Sequence, residues 1–181
     1  MLPEIIETER LCLRPYTLED IEDILAYATD AEWARYLPVP QPYTRRNAEE
    51  FVASQVLLER EENPSWAIVH HGVGIGGINL RLDMENHVGE LGYSVACKHW
   101  GQGVATEAAH AVIGAAFRSL PDLNKVRAMA DLRNGASQRV MEKLGMTREG
   151  VLRQNRLFRG EYVDEVWYGL LRSEWESVTS A

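Results

Sequence analysis

The chain reads as an α/β (α+β) protein, with a mixed, mostly antiparallel sheet of about seven strands flanked by about four helices. Three observations predict it. A length of 181 residues suits one hydrophobic core that buries about two-thirds of the unfolded surface. After Asn63-Pro64 the apolar period changes from helical to alternating. A long alanine-rich helical run from Gly101 then separates those strands from a later set. No repeat, linker or low-complexity tract interrupts the chain, so residues 1–181 are expected to form a single domain.

Taken in order, Glu9 to Arg14 alternates and predicts an opening strand that Pro15 ends. Thr17 is placed to cap a first helix, with Asp20 three residues on and Ile21, Ile24, Leu25 and Ala28 as its apolar stripe. Tyr36 to Tyr43 holds three prolines and is an irregular connection. Thr44 caps a second helix that runs to about Glu62, apolar at Phe51, Val52, Leu57 and Leu58. Ser65 to His71, Ile75 to Met84 and His87 to Val95 read as an antiparallel meander. Gly101 to Leu120 is a helix, Lys125 to Leu132 a central strand, and Asn134 to Leu144 a helix stopped by Gly145. Two last strands flank a turn at Arg159-Gly160-Glu161, and of Trp167 and Tyr168 only one can face the core.

Gly72 to Gly77 formally matches G-x-G-x-x-G. A dinucleotide site needs that motif to open a helix, whereas Ile78 to Met84 alternates like a strand. A hairpin turn is the expected role, with glycine supplying positive φ and close strand approach.

Composition bounds the function. Hydrophobic residues at 45% and charged residues at 25% are ordinary for a globular protein in water. The two cysteines, Cys12 and Cys97, are far apart and predict reduced thiols in a cytoplasmic protein. The first residues lack the pattern of a signal peptide, and no apolar run approaches the ~20 residues that span a bilayer. The five histidines show no metal-ligand spacing. A formal net charge of −8 argues against a nucleic-acid partner.

The stretch from Gly101 to Thr106 is the chemically suggestive one. Helix starts carry amide groups without internal partners and a partial positive charge. Glycines there let an anion approach the main chain. Gly101, Gln102, Gly103, Val104, Ala105 and Thr106 would therefore present donors to a phosphate or diphosphate. A tight turn feeding a packed helix explains the same residues without a ligand. A Walker-type Lys-Ser/Thr pair is missing, which disfavours a nucleoside triphosphatase.

The run E-L-G-Y-S-V-A-C-K-H-W-G-Q-G-V-A-T-E-A resembles the acetyl-coenzyme A motif of the GCN5-related N-acetyltransferases (GNAT), whose signature is Arg/Gln-x-x-Gly-x-Gly/Ala. Trp100, Gly103 and Ala105 fall on its three positions, Trp100 departing from Arg or Gln. T-E-R-L-C-L-R-P-Y-T-L-E-D, N-G-A-S-Q-R-V-M-E-K-L-G-M and G-E-Y-V-D-E-V-W-Y-G-L-L-R-S-E-W resemble further segments of the RimJ/RimL-type ribosomal-protein branch. The resemblance implies the acyl-CoA N-acyltransferase fold, with the fourth and fifth strands splayed around the pantetheine arm. It implies acetyl-coenzyme A (acetyl-CoA) as donor, main-chain bonds to the arm near Tyr93 and Val95, and the diphosphate at the loop from Trp100 to Thr106.

The same resemblance makes Glu90 the candidate general base, since an amine nucleophile must be neutral; a solvated strand carboxylate is the competing reading. Asn134 would bond the pantetheine and Ser137 would face the reacting centre, although helix capping accounts for either residue. The general-acid tyrosine of other branches falls on Met141, which cannot donate a proton. Trp33, Tyr36 and Tyr43 would wall the acceptor site by cation–π contact or else pack as satellite core. Asp83, Glu85, Glu161, Asp164 and Glu165 could add negative potential nearby, although a solvated surface is the favoured reading of these carboxylates. The resulting expectation is an N-acetyltransferase acting on a protein N-terminal amine. A small-molecule amine or a non-catalytic acyl-CoA sensor are the alternatives. The oligomeric state stays open, a homodimer included.

Overall fold

A computed structural model describes residues 1–58, 61 and 63–179. Eight strands form one sheet in the order β1-β2-β3-β4-β5-β6-β8-β7. They are β1 (Ile6–Glu7), β2 (Cys12–Arg14), β3 (Ser65–His70), β4 (Val73–Asp83), β5 (Val88–Val95), β6 (Lys125–Asp131), β7 (Thr147–Phe158) and β8 (Glu161–Leu171). The helices are α1 (Asp20–Ala28), α2 (Arg45–Val56), α3 (Val104–Ser119), α4 (Gly135–Lys143) and α5 (Arg172–Thr179).

Strand alternation sorts two cores onto the two faces. Trp66 and Ile68 of β3 join Ile78, Leu91, Val112 and Met141 in the core under α3 and α4. Ala67 and Val69 face the other way, into a core with Ile24, Ala28, Trp33, Ala48 and Val52 from the α1–α2 side. Small residues let α3 lie close: Ala108, Ala109 and Ala116 have no exposed surface.

The element that positions the site is β5. Against β4 it pairs over its whole length, from Asp83↔Val88 to Gly76↔Val95. Against β6 it pairs in parallel only from Val88↔Lys125 to Glu90↔Arg127. Beyond that rung β6 continues instead with β8, as far as Asp131↔Glu165. The fourth and fifth strands of the sequence reading therefore do splay apart.

Several boundaries differ from expectation, each for a local reason. The opening strand is shorter, Cys12–Arg14 rather than Glu9 to Arg14, because a turn closes at Thr8, whose backbone N–H donates to Leu11 O at 2.9 Å. That turn creates the extra strand β1. Thr17 is not a helix cap. Its own N–H donates to Asp20 Oδ2 at 2.7 Å, and Arg14 grips both oxygens of that buried carboxylate at 2.8 and 2.7 Å. Thr44 does cap α2, in a capping box with Asn47. That helix ends at Val56, and Phe51 and Leu57 are exposed while Ala48 and Val52, four residues apart, form the buried stripe. Residues 59, 60 and 62, at the expected end of that helix, lie outside the described residues.

The Gly72–Gly77 stretch is a hairpin, as expected. His71 and Gly72 carry φ of 51° and 79°, and β4 starts at Val73. Tyr168 is the core-facing member of its pair, 2% exposed, and Trp167 lies under the Arg127 guanidinium at 4.9 Å on the other face. The final helix α5, with Trp175 against the main core, was not anticipated.

Candidate active site: a wedge between β5 and β6

Amide directions alternate along a strand. Ala96 N–H donates to Ile75 O on the β4 side at 2.8 Å, so the N–H and C=O of Val95 and Tyr93 point toward β6. There β6 has already diverged, and these groups face a cleft of about 490 Å³ of the size that holds small ligands. One of them is occupied from within: Trp100 Nε1 donates to Val95 O at 2.7 Å. The tryptophan at the first signature position thus fastens the end of β5 to the loop that follows.

That loop has the geometry of an anion cradle. Gly101 and Gly103 have φ of 73° and 80°, and Gly103 is the left-handed N-cap of α3 with no side-chain cap. A Cβ at Gly101 would meet nothing within 4 Å. Backbone direction rather than crowding therefore calls for glycine there. Among the described residues, no amide from Gly101 to Thr106 donates to another group. Gln102 does not line the cleft: its Nε2 donates to Lys98 O at 2.9 Å and its O accepts from Arg10 at 3.1 Å.

The facing wall is the start of α4. Asn134 caps the helix, Oδ1 accepting from Ser137 N at 3.1 Å. Capping therefore uses the oxygen and leaves Nδ2, in a residue that lines the cleft, without a partner among the described residues. Ser137 Oγ lies 2.9 Å from Tyr93 Oη, which also donates to Ser137 O at 3.2 Å. Burial pushes the Tyr93 phenol up to about 12, although its bond to Ser137 works the other way. A neutral O–H pair thus spans the wedge. Met141 is fully buried and belongs to the core.

Trp33, Tyr36 and Leu37 close the far end. Tyr36 Oη donates to Arg133 O at 3.3 Å, bridging the proline-rich connection to the β6–α4 loop. Asp131, 3% exposed, holds Arg133 through two bonds of 2.9 and 2.8 Å. From the β7–β8 turn, Arg159 donates to Ala34 O at 2.9 Å.

Three sequence-predicted residues, Gln102, Tyr43 and Glu90, stand apart from this cleft. Tyr43 takes the packing alternative of the sequence reading. It is 8% exposed and stacks edge-on at 6.2 Å from Trp33 in the second core, so it supports the wall without lining it. Glu90 sits on the last paired rung, one oxygen bonded to Arg81 at 2.9 Å and the other to Arg127 at 2.9 Å. It shares the Gly92 and Ser94 face of β5, as read from the sequence, and is not part of the cleft wall. The expected acidic surface is also largely spoken for. Asp83 bonds Asn86, Asp164 accepts from Gln154 N, and Glu165 is buried against Asn155 and Arg156.

Sequence reasoning missed Arg139 and Lys143, which line the α4 wall. Their i,i+4 spacing on one helix was the available signal. Arg159 was missed because it donates to carbonyls far away in sequence, and Arg133 because Tyr36 reaches its carbonyl from a remote segment.

Residues 10–147 match the acetyltransferase (GNAT) domain. The chain belongs to the GNAT acetyltransferase family. It is 32% identical to the uncharacterized N-acetyltransferase p20 of Bacillus licheniformis over 178 residues, 95% of this chain and 98% of that protein. The GNAT-family acetyltransferase from Bacillus anthracis superposes with a TM-score of 0.84 at 28% identity, covering 94% of this chain and 99% of that one. RimL, the ribosomal L7/L12 alpha-N-protein acetyltransferase solved with coenzyme A, gives 0.84 at 21% identity over 94% and 99%. This GNAT member is therefore an acetyl-CoA-dependent acetyltransferase. Among its described residues no helix is long and apolar enough to cross a membrane.

Proposed function

We propose that this GNAT chain transfers the acetyl group of acetyl-CoA to the α-amine of a protein N-terminus. One observation carries the choice of acceptor: the charge of the cleft wall. Arg139 and Lys143 line it without a carboxylate partner among the described residues, whereas Arg133 is held by Asp131 at 2.8 Å and Glu32 by Arg35 at 3.1 Å. Multiply charged acceptors such as polyamines or aminoglycosides are repelled by such a wall. A peptide N-terminus brings a single amine of pKa ~8 and a polar main chain. The RimL neighbour, named for protein N-terminal acetylation, supports the same reading.

In this reading the free amides of Gly101–Thr106 hold the diphosphate, and Tyr93, Val95 and Asn134 Nδ2 bond the pantetheine amides as an added strand would be bonded. The acetyl carbonyl then reaches the Tyr93–Ser137 pair. The amine enters under Trp33 and Tyr36 and attacks the carbonyl carbon, and the C–S bond breaks. Ser137 Oγ gives its proton to the departing thiolate and regains one from Tyr93 Oη. Glu90 takes the proton lost by the amine, through water, and the phenol is reprotonated from solvent.

The experiment is coenzyme A release with acetyl-CoA and two acceptor panels, followed by mass spectrometry of the products. N-terminal peptides are expected to stimulate release, with the acetyl group on the α-nitrogen. Stimulation by polyamines or aminoglycosides alone would overturn the acceptor assignment. Release unaffected by any amine would favour an acyl-CoA sensor.

A further inference from the structure

The N-terminal hairpin carries a charge cluster that the catalytic reading does not use. Arg10, at the β1–β2 corner, reaches the first turn of α3. Its backbone N–H donates to Glu107 Oε1 at 3.0 Å and its Nε to Oε2 at 2.7 Å. Thr8 Oγ1 donates to Oε1 at 2.7 Å. The remaining arm, Nη1, donates to Gln102 O at 3.1 Å. These contacts span more than ninety residues of sequence.

Two consequences follow for the glycine loop. In a trans peptide the C=O and the N–H point in opposite directions. Holding Gln102 O toward Arg10 therefore turns Gly103 N–H the other way. That amide belongs to the unsatisfied row along the cleft. Glycine resists rotation weakly, so an external hold matters most here. Second, Glu107 places a carboxylate in the first turn of the helix proposed to face a diphosphate. Burial acts to raise its pKa, yet the bonds from Thr8 and Arg10 together carry it below the ordinary value. It stays charged, and the Arg10 guanidinium at 2.6 Å offsets that charge.

We infer that Arg10, seated by Thr8 and Glu107, is a positioning residue that holds the Gln102–Gly103 peptide in its diphosphate-binding orientation. The inference rests on the loop being the diphosphate site. Two donors separate the readings: acetyl-CoA, and S-acetylpantetheine, which lacks the diphosphate and nucleotide. Arg10→Ala should lower kcat/KM for acetyl-CoA about tenfold, the worth of one charge-assisted bond, and leave that for S-acetylpantetheine within about twofold. Arg10→Lys keeps an ion pair with Glu107 but cannot also reach Gln102 O, and should lose acetyl-CoA efficiency selectively as well. The amine KM should not move. Equal losses with both donors, or no loss with either, would overturn the positioning role. Gly103→Val is the control. If it too treats both donors alike, the loop is not the diphosphate site, and that reading fails rather than the Arg10 assignment alone.

Discussion

The two ends of the cleft are built in different ways. The end proposed to take the donor is chiefly a single run, Tyr93 to Thr106, joined by Asn134 from α4, and most of the groups it offers are main-chain amides. The end proposed to take the amine is assembled from three remote segments: Trp33 to Leu37, the β6–α4 loop at Arg133, and the β7–β8 turn, whose Arg159 braces Ala34. A site made of consecutive amides can be read from local rules about glycine and helix starts. A site made by side chains meeting across the sheet depends on tertiary placement.

The sharpest break in that contrast is Ser137→Ala, at the boundary of the two ends. Loss of the proton donor should reduce kcat by roughly 10²- to 10³-fold, as is usual for general-acid catalysis. Coenzyme A affinity by calorimetry should stay nearly constant. An equal loss in affinity would mean that Ser137 binds the donor instead.

Glu90→Gln should come next, with a fall of about 10²-fold or less at neutral pH, because an N-terminal amine of pKa ~8 supplies some free base by itself. The deficit should shrink as pH rises and the amine deprotonates unaided. A pH-independent deficit would remove Glu90 as the base.

Tyr93→Phe probes the relay at a smaller scale, with kcat reduced by roughly tenfold. It also has a stability signature. The folded-state pKa, about 12, exceeds the usual 10 because of burial. The phenol therefore favours the folded state fully below pH 10, and that contribution disappears as pH climbs from 10 to 12. Denaturation midpoints of Tyr93→Phe should lose that alkaline slope.

Tyr43→Leu should change activity least. Its ring packs behind Trp33, so the cost is in stability, of the order of 1–3 kcal/mol for a reshaped core, with the amine KM within about twofold. A large rise in KM would return Tyr43 to the acceptor wall.

The same division governs what the sequence made legible. The glycine-marked start of α3, the Thr44 cap and the Asn134 cap follow from neighbours within a few residues, whereas the splay of β5 from β6 was implied only by the family resemblance. Tyr43 looked like Trp33 and Tyr36 because all three flank the same proline-rich connection, and only packing decides which ring faces outward. Asp20 was read as half of a local capping box, whereas a bidentate arginine on the preceding strand claims it. The hairpin that carries Thr8 and Arg10 was read as a plain strand, since its meaning lies in Gln102 and Glu107. Short range was readable; long range was not.

The account stands on free amides at a left-handed glycine holding the donor's diphosphate. Calorimetric titration of coenzyme A into the wild-type protein and Gly103→Val measures this directly. Valine is strained at a φ of 80° and turns the amides away. Losing two or more charge-assisted bonds should raise Kd by at least about 100-fold. An unchanged Kd in a folded Gly103→Val protein would contradict it.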